Sequence, residues 1–379
     1  MVILMQKNIN YLWLFTFLII IGGIGVLNLE TVSESINQKI RNPEINLESK
    51  YTINFKQRME FVNLNGLVCK GLNQKIVNGT IKASNGKLFL TTDTDIKFDA
   101  NSEQLLIQNS LKILEYAKEQ GAFPLFVQRP DKYNSEVDSL PYHMSIDADR
   151  KYSYWLDCMN NKKIKTLDLR KINDCKNFYL TDHHWNNESS FNACNHIVLK
   201  LNEEGQITLN SSVLTKKNYY TWSFKKAFLG SEGIRTGKYY TGMDDFNILI
   251  PKFKTSFSYD HYINHKKDLH KTGKFEDAFI DQSILKDKSY YNKYNSFIYG
   301  GYVESRIVNH KASNNKKVLL ISISFSRYAG AIRADKSIAL LLSDFISTLI
   351  FLSGSSAVAL PYPVMDCIIL PKVLCKNTG

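Results

Sequence analysis

The chain has 379 residues, of which 44% are hydrophobic and 12% aromatic, and this composition excludes an intrinsically disordered chain. That length holds one large α/β domain or two small ones. The formal net charge of +12 suits a protein that works near anionic lipids or anionic polymers. Because the basic residues are scattered and match no DNA- or RNA-binding module, we expect no nucleic-acid partner.

The N-terminal segment decides the cellular compartment. Lys7 precedes an uncharged run, Asn8–Leu29, in which Tyr11–Leu27 is almost wholly apolar and long enough to cross a bilayer. A cleaved signal peptide is the alternative, but its apolar region is normally shorter and ends in small residues at a cleavage site. Glu30 and Glu34 follow the run, so the positive-inside rule puts the N-terminus in the cytoplasm. We therefore predict a single-pass protein of the cell membrane with its bulk outside the cytoplasm.

Three regions are predicted along the chain: a cytoplasmic tip and transmembrane anchor (1–29), a linker (30–60) and one extracytoplasmic domain (61–379). In that domain, short apolar runs separated by glycines predict small strands and turns from Phe61 to Leu90. Apolar spacing then predicts helix Glu103–Gln120 between Ser102 and Gly121, strands Phe123–Val127 and Ile164–Leu169, helix Asn186–Leu201 and strand Val318–Ile323. This alternation indicates an α/β fold, a mainly parallel sheet with helices on both faces.

The apolar stretch Ser337–Leu360 is open to interpretation as a second membrane span, but Asp344 lies near its middle. Because a carboxylate is costly in lipid, we predict a buried helix followed by a strand instead.

The cysteines fit an exported chain without proving disulfides. Cys194 falls on the apolar stripe of a predicted helix, so we expect it in the core. No Cys-x-x-Cys pair occurs, and we predict no zinc site. Six cysteines allow fifteen complete pairings, among which the sequence does not choose: Cys69, Cys158, Cys175, Cys194, Cys367 and Cys375.

The first candidate site is Thr181-Asp182-His183-His184-Trp185, directly before a predicted helix. In an extended segment, a carboxylate and an imidazole two residues apart lie on the same side, so Asp182 can orient His184 as a general base. His183, between them, is then expected to point away from the nucleophile that His184 would serve. The alternative is that Asp182 caps the helix and both histidines are surface residues.

The second candidate is Ser324, which follows the apolar strand Val318–Ile323. A serine there exposes its oxygen at the carboxyl end of a strand, and the N–H groups of a following helix can stabilise an oxyanion. A helix-capping role is the alternative. The third candidate is the glycine-rich segment Phe228–Gly237 with the following Asp244 and Asp245, where backbone N–H groups can approach a substrate closely. An ordinary loop would have the same composition.

Together these segments resemble the DHHW family and the related alginate O-acetylation proteins of the AlgJ and AlgX type. The resemblance runs from about Phe61 to Tyr328, and the Asp-x-His-Trp element from Asp182 to Trp185 is its most specific motif. It implies an SGNH-hydrolase-like, flavodoxin-like domain with circularly permuted motifs, since the Asp-x-His element precedes the serine. The implied activity is that of a serine esterase or O-acetyltransferase acting on cell-envelope or exported polysaccharide through an acyl-serine intermediate.

Carried over by position, the resemblance makes Ser324 the nucleophile, His184 the general base and Asp182 the residue that orients it. The residues expected at the oxyanion hole and substrate pocket are Gly230, Ser231 and Tyr328. We expect no cofactor and no metal. The expected partners are a polysaccharide or other hydroxyl acceptor, the membrane, and a membrane-bound acyl-transfer protein.

Two departures from the family pattern support other functions. The family has Gly-Asp-Ser-Phe where this chain has Ser322-Ile323-Ser324-Phe325, and the tail Pro361–Gly379 fits no expected element. The alternative is therefore a catalytically weak relative that binds polysaccharide or acts as a scaffold in an envelope O-acetylation system. A metal-dependent phosphoesterase is a third class, whose additional acidic metal ligands would have to be Asp93, Asp95 and Asp99.

Overall fold

The computed structural model describes residues 2–91, 98–141, 148–204, 211–263, 266–287, 293–299, 304–312, 317–323 and 347–353. The helices are α1 (Val2–Leu27), α2 (Leu29–Arg41), α3 (Leu47–Asn54), α4 (Arg58–Gly71), α5 (Ala100–Glu119), α6 (Lys132–Ser135), α7 (Ala148–Asn161), α8 (Asn187–Glu203), α9 (Ser231–Thr236), α10 (Lys238–Thr241), α11 (Phe275–Phe279) and α12 (Gln282–Lys286). The strands are β1 (Ile76–Val77), β2 (Thr80–Lys82), β3 (Leu88–Leu90), β4 (Phe123–Gln128), β5 (Lys165–Asp168), β6 (Tyr219–Phe228), β7 (Asp244–Pro251), β8 (Phe257–Ile263), β9 (Lys266–Gly273), β10 (Glu304–Asn309), β11 (Lys317–Ile323) and β12 (Ser347–Ser353).

The N-terminal helices begin with an exposed apolar segment. In α1, the side chains of Tyr11–Phe15 and Phe17–Ile21 are each more than half exposed. No single helix in the described residues is long and apolar enough to cross a membrane by itself. The pair Tyr11–Leu27 and Leu29–Arg41 meets the length and composition requirement together, with a bend of 56° between its members. Residues 30–60, predicted as a linker, contain most of α2 and all of α3.

Small strands and turns, predicted from Phe61 to Leu90, are found only after Gly71. Up to that residue the chain forms α4. Gly66 lies on the buried face of α4, where an added Cβ atom would come within 2.1 Å of the Thr236 carbonyl oxygen. This glycine therefore serves close packing between helices and not a turn. Beyond α4, the strands β1, β2 and β3 form an antiparallel sheet.

The central sheet has the strand order β11-β12-β4-β5. β4 and β5 are parallel, whereas β12 is antiparallel to both of its neighbours, β11 and β4. β11 consequently runs in the same direction as β4 and β5, and their carboxyl ends lie at one edge of the sheet. The register aligns Ile323, Ser347, Gln128 and Asp168 in a row along that edge.

Helices cover both faces of the central sheet, as predicted. On one face, Leu125 and Val127 of β4 pack in one cluster with Cys194 of α8, which is fully buried as expected. On the other face, Phe126 packs with α5 and α7, and its ring stacks on Trp155 with the centroids 6.0 Å apart. Because neighbouring residues in a strand point to opposite faces, β4 holds both helical layers.

The fold is mixed α/β, but the prediction of one mainly parallel sheet was wrong. Among the described strands, β4 and β5 are the only parallel pair. Continuous apolar runs such as β4 and β11 are typical of parallel strands because such strands are buried on both faces. A central strand of a mixed sheet is buried in the same way, so the apolar pattern does not reveal strand direction. Ser347–Ser353, the described part of the late apolar stretch, is a strand as expected.

A second, largely aromatic core lies beside the central sheet. It is formed by the antiparallel pair β6–β7, by the antiparallel sheet β10-β8-β9 and by α11. Phe228, Phe246 and Tyr259 are fully buried in it. Among the cysteines in the described ranges there is no disulfide, and these are Cys69, Cys158, Cys175 and Cys194. Cys367 and Cys375 lie outside the described residues.

Candidate active site

Residues 178–185 form a closed loop directly before α8. Phe178 and Trp185 pair as an antiparallel bridge, and the N–H of Tyr179 donates to the carbonyl of His184 at 3.0 Å. Asn186 caps α8, since its side-chain oxygen accepts the N–H of the third helical residue at 2.9 Å. Both ends of the loop are thus fixed, so its tip can hold side chains in a defined arrangement.

At the tip of this loop, Asp182 and His184 form a buried pair. Asp182 is 0% exposed and His184 is 4% exposed. Oδ1 of Asp182 accepts hydrogen bonds from Nδ1 of His184 and from the His184 backbone N–H, the latter at 3.1 Å. Because Nδ1 donates to the carboxylate, Nε2 is the basic nitrogen of the imidazole.

The charge of Asp182 is stabilised although water has no access to it. Burial alone would raise its pKa, but the charges of His184 and His183 and the hydrogen bonds from His184 and Ser231 outweigh this effect. They hold the pKa of Asp182 well below its usual range, and the group is ionised at neutral pH. An ionised Asp182 can orient His184 and stabilise the imidazolium that forms when Nε2 takes a proton.

Asp244, the first residue of β7, holds the loop from another side. Its Oδ1 accepts the N–H of Leu180 at 2.7 Å, and its Oδ2 accepts the N–H and the hydroxyl of Thr181 at 2.8 and 2.6 Å. Burial raises the pKa of Asp244 in spite of these hydrogen bonds. Asp244, which follows the glycine-rich segment, therefore positions the backbone that carries Asp182.

Helix α9 packs its first turn against the same loop. The N–H of Ser231 donates to Oδ2 of Asp182 at 2.7 Å, and the N–H groups of Gly230 and Gly233 donate to the hydroxyl and carbonyl oxygens of Thr181, each at 2.9 Å. An added Cβ on Gly230 would lie 2.2 Å from the Cβ of Asp182. The N–H groups of Gly230 and Ser231 are thus used within the protein, which differs from the oxyanion hole expected from the sequence.

Aromatic rings surround the imidazole of His184. Its centroid lies 4.3 Å from that of Tyr294 and 4.1 Å from that of His183. The hydroxyl of Tyr294 donates to the carbonyl of Trp185, which fixes the phenol beside the imidazole. Sequence reasoning missed Tyr294, because it lies far along the chain and no motif marks it.

His183 lies close to Asp182, and Ser324, from which His183 is expected to point away, is outside the described residues. Its Nδ1 lies 3.1 Å from Oγ of Ser231 and 3.8 Å from Oδ1 of Asp182. The alternation of side chains holds for an extended strand, whereas this tip is a series of bends. His183 is therefore a partly exposed neighbour of the Asp182–His184 pair.

A buried cation, Lys132, lies behind the loop and was also missed. It is 1% exposed, and its Nζ donates to the carbonyls of Leu88 and Asp182 at 2.7 and 2.8 Å and to Oε2 of Glu232 at 3.3 Å. Burial raises the pKa of Glu232 to about 7, against the lowering effect of Lys132. Consecutive residues of α9 thus hold Asp182 from two directions, since Ser231 binds its carboxylate and Glu232 binds the lysine on its carbonyl. The sequence signal that could have indicated Lys132 was its position just beyond the end of a buried strand.

Ser324 and Tyr328 lie outside the described residues, which end in this region at Ile323, the last residue of β11. The end of β11 lies on the same sheet edge as Gln128, the end of β4. Lys132 follows shortly after Gln128 and contacts Asp182. The residue before Ser324 and the Asp182–His184 loop are therefore linked to the same edge of the sheet.

Two groups in the described part of the chain have the spacing of metal ligands: Asp182 with His183 and His184, and Asp174 with Cys175 and His196. In the first group, Asp182 and His184 already bind each other. In the second, burial and the charge of Asp174 raise the pKa of the Cys175 thiol, which disfavours the thiolate that metals prefer. Of the acidic residues named for a phosphoesterase, Asp99 is exposed, and Asp93 and Asp95 lie outside the described residues.

No protein-family model matches the chain, and a search of curated proteins finds no match. The solved structures similar to it include PatB1 of Bacillus cereus with a sulfonyl adduct, 17% identical over 64% of this chain and 78% of that one, with a TM-score of 0.49. They include the O-acetyltransferase domain of Pseudomonas putida AlgJ, 15% identical over 46% and 66% of the two chains, with a TM-score of 0.36. A DHHW family protein from Eubacterium siraeum is 14% identical over 49% and 58%, with a TM-score of 0.31.

The families recognised from the sequence are among these structures.

The buried pair of Lys132 and Glu232 generates a stability prediction. Lys132→Met should lower the free energy of unfolding by about 3 kcal/mol, because breaking a buried ion pair leaves a buried charge without its partner. The double variant Lys132→Met/Glu232→Leu should recover most of this loss, since neither member of the pair is then left as an unpaired buried charge. Urea denaturation at neutral pH measures both values. Lys216→Met, which breaks an exposed pair with Glu188, is the control and should change stability by less than about 1 kcal/mol.

The lowered pKa of Asp182 generates a pH prediction. A carboxyl group whose pKa is depressed by folding stabilises the protein above its unfolded pKa, about 4, and loses that contribution as the pH falls through the folded value. Asp182→Asn should therefore be less stable than the parent at neutral pH, and the difference should shrink as the pH falls below about 4. Denaturant titrations across this range test it. A difference that is unchanged down to pH 3 would contradict the assigned ionisation.

Proposed function

We propose that the chain is a membrane-anchored, extracytoplasmic serine O-acetyltransferase or acetylesterase that acts on polysaccharide. The observation that carries the proposal is the buried Asp182–His184 pair, with Nδ1 held by an ionised carboxylate and the imidazole fixed between neighbouring rings. Such a pair has the arrangement of the base and its orienting acid in serine hydrolases. The end of β11 supports Ser324 as the third member, because it lies on the sheet edge to which the loop is linked.

In the proposed mechanism, the hydroxyl of Ser324 attacks the carbonyl carbon of an acyl donor while Nε2 of His184 takes the hydroxyl proton. The tetrahedral intermediate then expels the leaving group, which receives that proton from His184, and an acyl-serine remains. A sugar hydroxyl or water attacks the acyl-serine next, and its proton passes to Nε2. Collapse of the second intermediate returns the proton to Ser324. Asp182 stays ionised throughout and stabilises the imidazolium.

A polar cleft at the same sheet edge supports a sugar acceptor. It has a volume of about 460 Å³ and lies at the ends of β4 and β5, where open α/β sheets commonly bind ligands. Arg170 forms a two-pronged contact with Asp168 at its floor, with both N···O distances 2.9 Å. Such side chains can exchange hydrogen bonds with several hydroxyl groups at once. All of its lining residues are polar: Asp131, Asn134, Ser135, Asp149, Arg150, Ser153, Asp168, Arg170, Lys171 and Lys176.

The exposed apolar surface of α1 supports the anchor. From Tyr11 to Ile21 the large apolar side chains are exposed without regard to helix face. A helix that is apolar all round belongs in a protein core or in a membrane, and α1 is not covered by the described part of the protein. The charge pattern around Tyr11–Leu27 favours a cytoplasmic N-terminus.

The triad generates an activity prediction. The full chain in detergent should release nitrophenol from nitrophenyl acetate, and Ser324→Ala and His184→Ala should each remove almost all of this activity, because triad members act as a unit. Asp182→Ala should retain about tenfold to a hundredfold more activity than these two, since Asp182 orients the base and does not transfer the proton. Steady-state kinetics measure kcat for each variant.

Ser326→Ala is the matched control for the loss of a serine in this segment and should keep the parent's kcat. His183→Ala should lose less activity than His184→Ala, because His183 contacts the pair from its exposed side. If all these variants match the parent, the hydrolysis is incidental, and the scaffold or polysaccharide-binding function replaces the catalytic one.

The anchor generates a topology prediction. Protease added to intact spheroplasts should degrade the chain from residue 30 onwards and leave only the membrane segment, because the bulk is proposed to lie outside the cytoplasm. Mass spectrometry of the protected fragments measures this. Protection of the C-terminal half would contradict the proposed orientation.

A further inference from the structure

Helix α4 carries its apolar face on the outside. Its buried positions are Asn63, Gly66 and Cys69, each a small or polar residue. A surface helix of a globular protein normally has the reverse arrangement, with its apolar stripe towards the core. The outward positions are large and apolar, with exposed fractions of 48%, 56%, 51% and 52% for Phe61, Leu64, Leu67 and Val68. A contiguous exposed surface of this kind marks an interaction site.

The inward face explains why the apolar side chains lie outside. An added Cβ on Gly66 would reach within 2.1 Å of the Thr236 carbonyl oxygen, and Oδ1 of Asn63 accepts the N–H of Lys238 at 2.8 Å. α4 thus packs closely against α9 and α10, and no large side chain fits between them. The large apolar side chains of α4 therefore have no room on the inward face, and a rotation of the helix could not bury them there.

The start of α4 is tied to the end of the apolar helix α1. Asn28, the residue directly after Leu27, is fully buried. Its Nδ2 donates to Oε1 of Gln57 at 2.7 Å, and its Oδ1 accepts the N–H of Lys56 at 3.0 Å. Gln57 immediately precedes α4. If α1 crosses a bilayer, α4 consequently begins at the level at which α1 leaves the hydrocarbon.

The residues around the start of α4 have the composition of a membrane interface. The rings of Tyr51, Phe55 and Phe61 are in successive contact, with centroid distances of 5.7 and 5.8 Å. Tyrosine collects at the boundary between lipid and water, and phenylalanine is common on the apolar side of interfacial segments. This cluster lies next to the Asn28 hydrogen bonds and so marks the same level of the molecule.

Basic residues lie at the other end of α4. Burial, and after it the charges of Lys70 and Lys75, lower the pKa of Lys82. Lysines grouped beside an apolar helix face attract anionic headgroups. A second protein bound to the exposed face of α4 would explain its apolar side chains. An anionic bilayer would explain these side chains and also the hydrogen bonds that link α4 to the end of α1 and the lysines nearby.

We propose that α4 is an interfacial helix whose face formed by Phe61, Leu64, Leu67 and Val68 lies in the headgroup region of an anionic bilayer. The proposal rests on the transmembrane anchor proposed above. Because α4 packs on α9, and α9 binds Asp182, contact between α4 and lipid fixes the height of the candidate active site above the membrane. A polymer that is modified while it emerges from a membrane protein would meet the site at that height.

The test uses the full chain reconstituted in phosphatidylcholine vesicles with and without phosphatidylglycerol. A photo-crosslinking phenylalanine analogue replaces Leu64, and the matched control carries it at Leu199, an apolar residue of α8 that is 43% exposed. We expect a lipid adduct, seen as a mass shift of the labelled peptide, at position 64 and none at position 199. The adduct should increase when phosphatidylglycerol is present, because of the lysines at the end of α4.

A further probe at Leu18 in α1 separates the two proposals. If position 18 yields a lipid adduct and position 64 does not, the anchor stands and the interfacial helix is wrong. A crosslink from position 64 to a second copy of the chain also overturns the proposal and identifies α4 as a dimer contact. If neither position reacts with lipid, the anchor itself fails.

Discussion

The burial of one ionised carboxylate, Asp182, constrains the whole of the candidate site. Removing a charge from water costs several kcal/mol unless hydrogen bonds and an opposite charge replace the solvent. Here the imidazole and N–H of His184 and the N–H of Ser231 supply that replacement. These donors come from the loop itself and from α9, so the loop, the helix and the strand that follows it must keep one relative arrangement.

The surroundings of Asp182 bring several acids close to a single cation. Glu232 and Asp244 are both buried or nearly so, and Lys132 lowers the pKa of each. Burial nevertheless raises both values, so the lysine does not fully compensate for the missing water. Asp182 keeps its charge because the charges of His184 and His183 and the hydrogen bonds it accepts lower its pKa by more than burial raises it. Asp182, beside the imidazole of His184, is thus ionised while Glu232 titrates near neutrality, so their environments give the two carboxyl groups different pKa values.

The parts of the site that are local in sequence could be predicted, and the parts that depend on distant packing could not. The pairing of Asp182 with His184 follows from a motif of three residues, and Gly230 drew attention because glycine permits close approach. Lys132 and Tyr294 come from other regions of the chain and meet the loop only through the fold. The glycines between Phe61 and Leu90 predicted turns, but Gly66 lies within α4 and permits close packing between helices. The direction of β12 also depends on its neighbours in the sheet and not on its composition.

The position of β12 between β11 and β4 has a consequence for the order in which the molecule is assembled. In the described part of the sheet, β11 meets no strand except β12, which follows it in the chain. The loop of Asp182 and His184 and the helix that holds it are complete much earlier in synthesis. The Asp182–His184 loop can therefore fold while β11 still lacks its neighbour. A nascent chain that stalls before residue 347 would hold a finished Asp182–His184 pair while β11 has no neighbouring strand, and the synthesis of β12 becomes the event that joins β11 to the sheet.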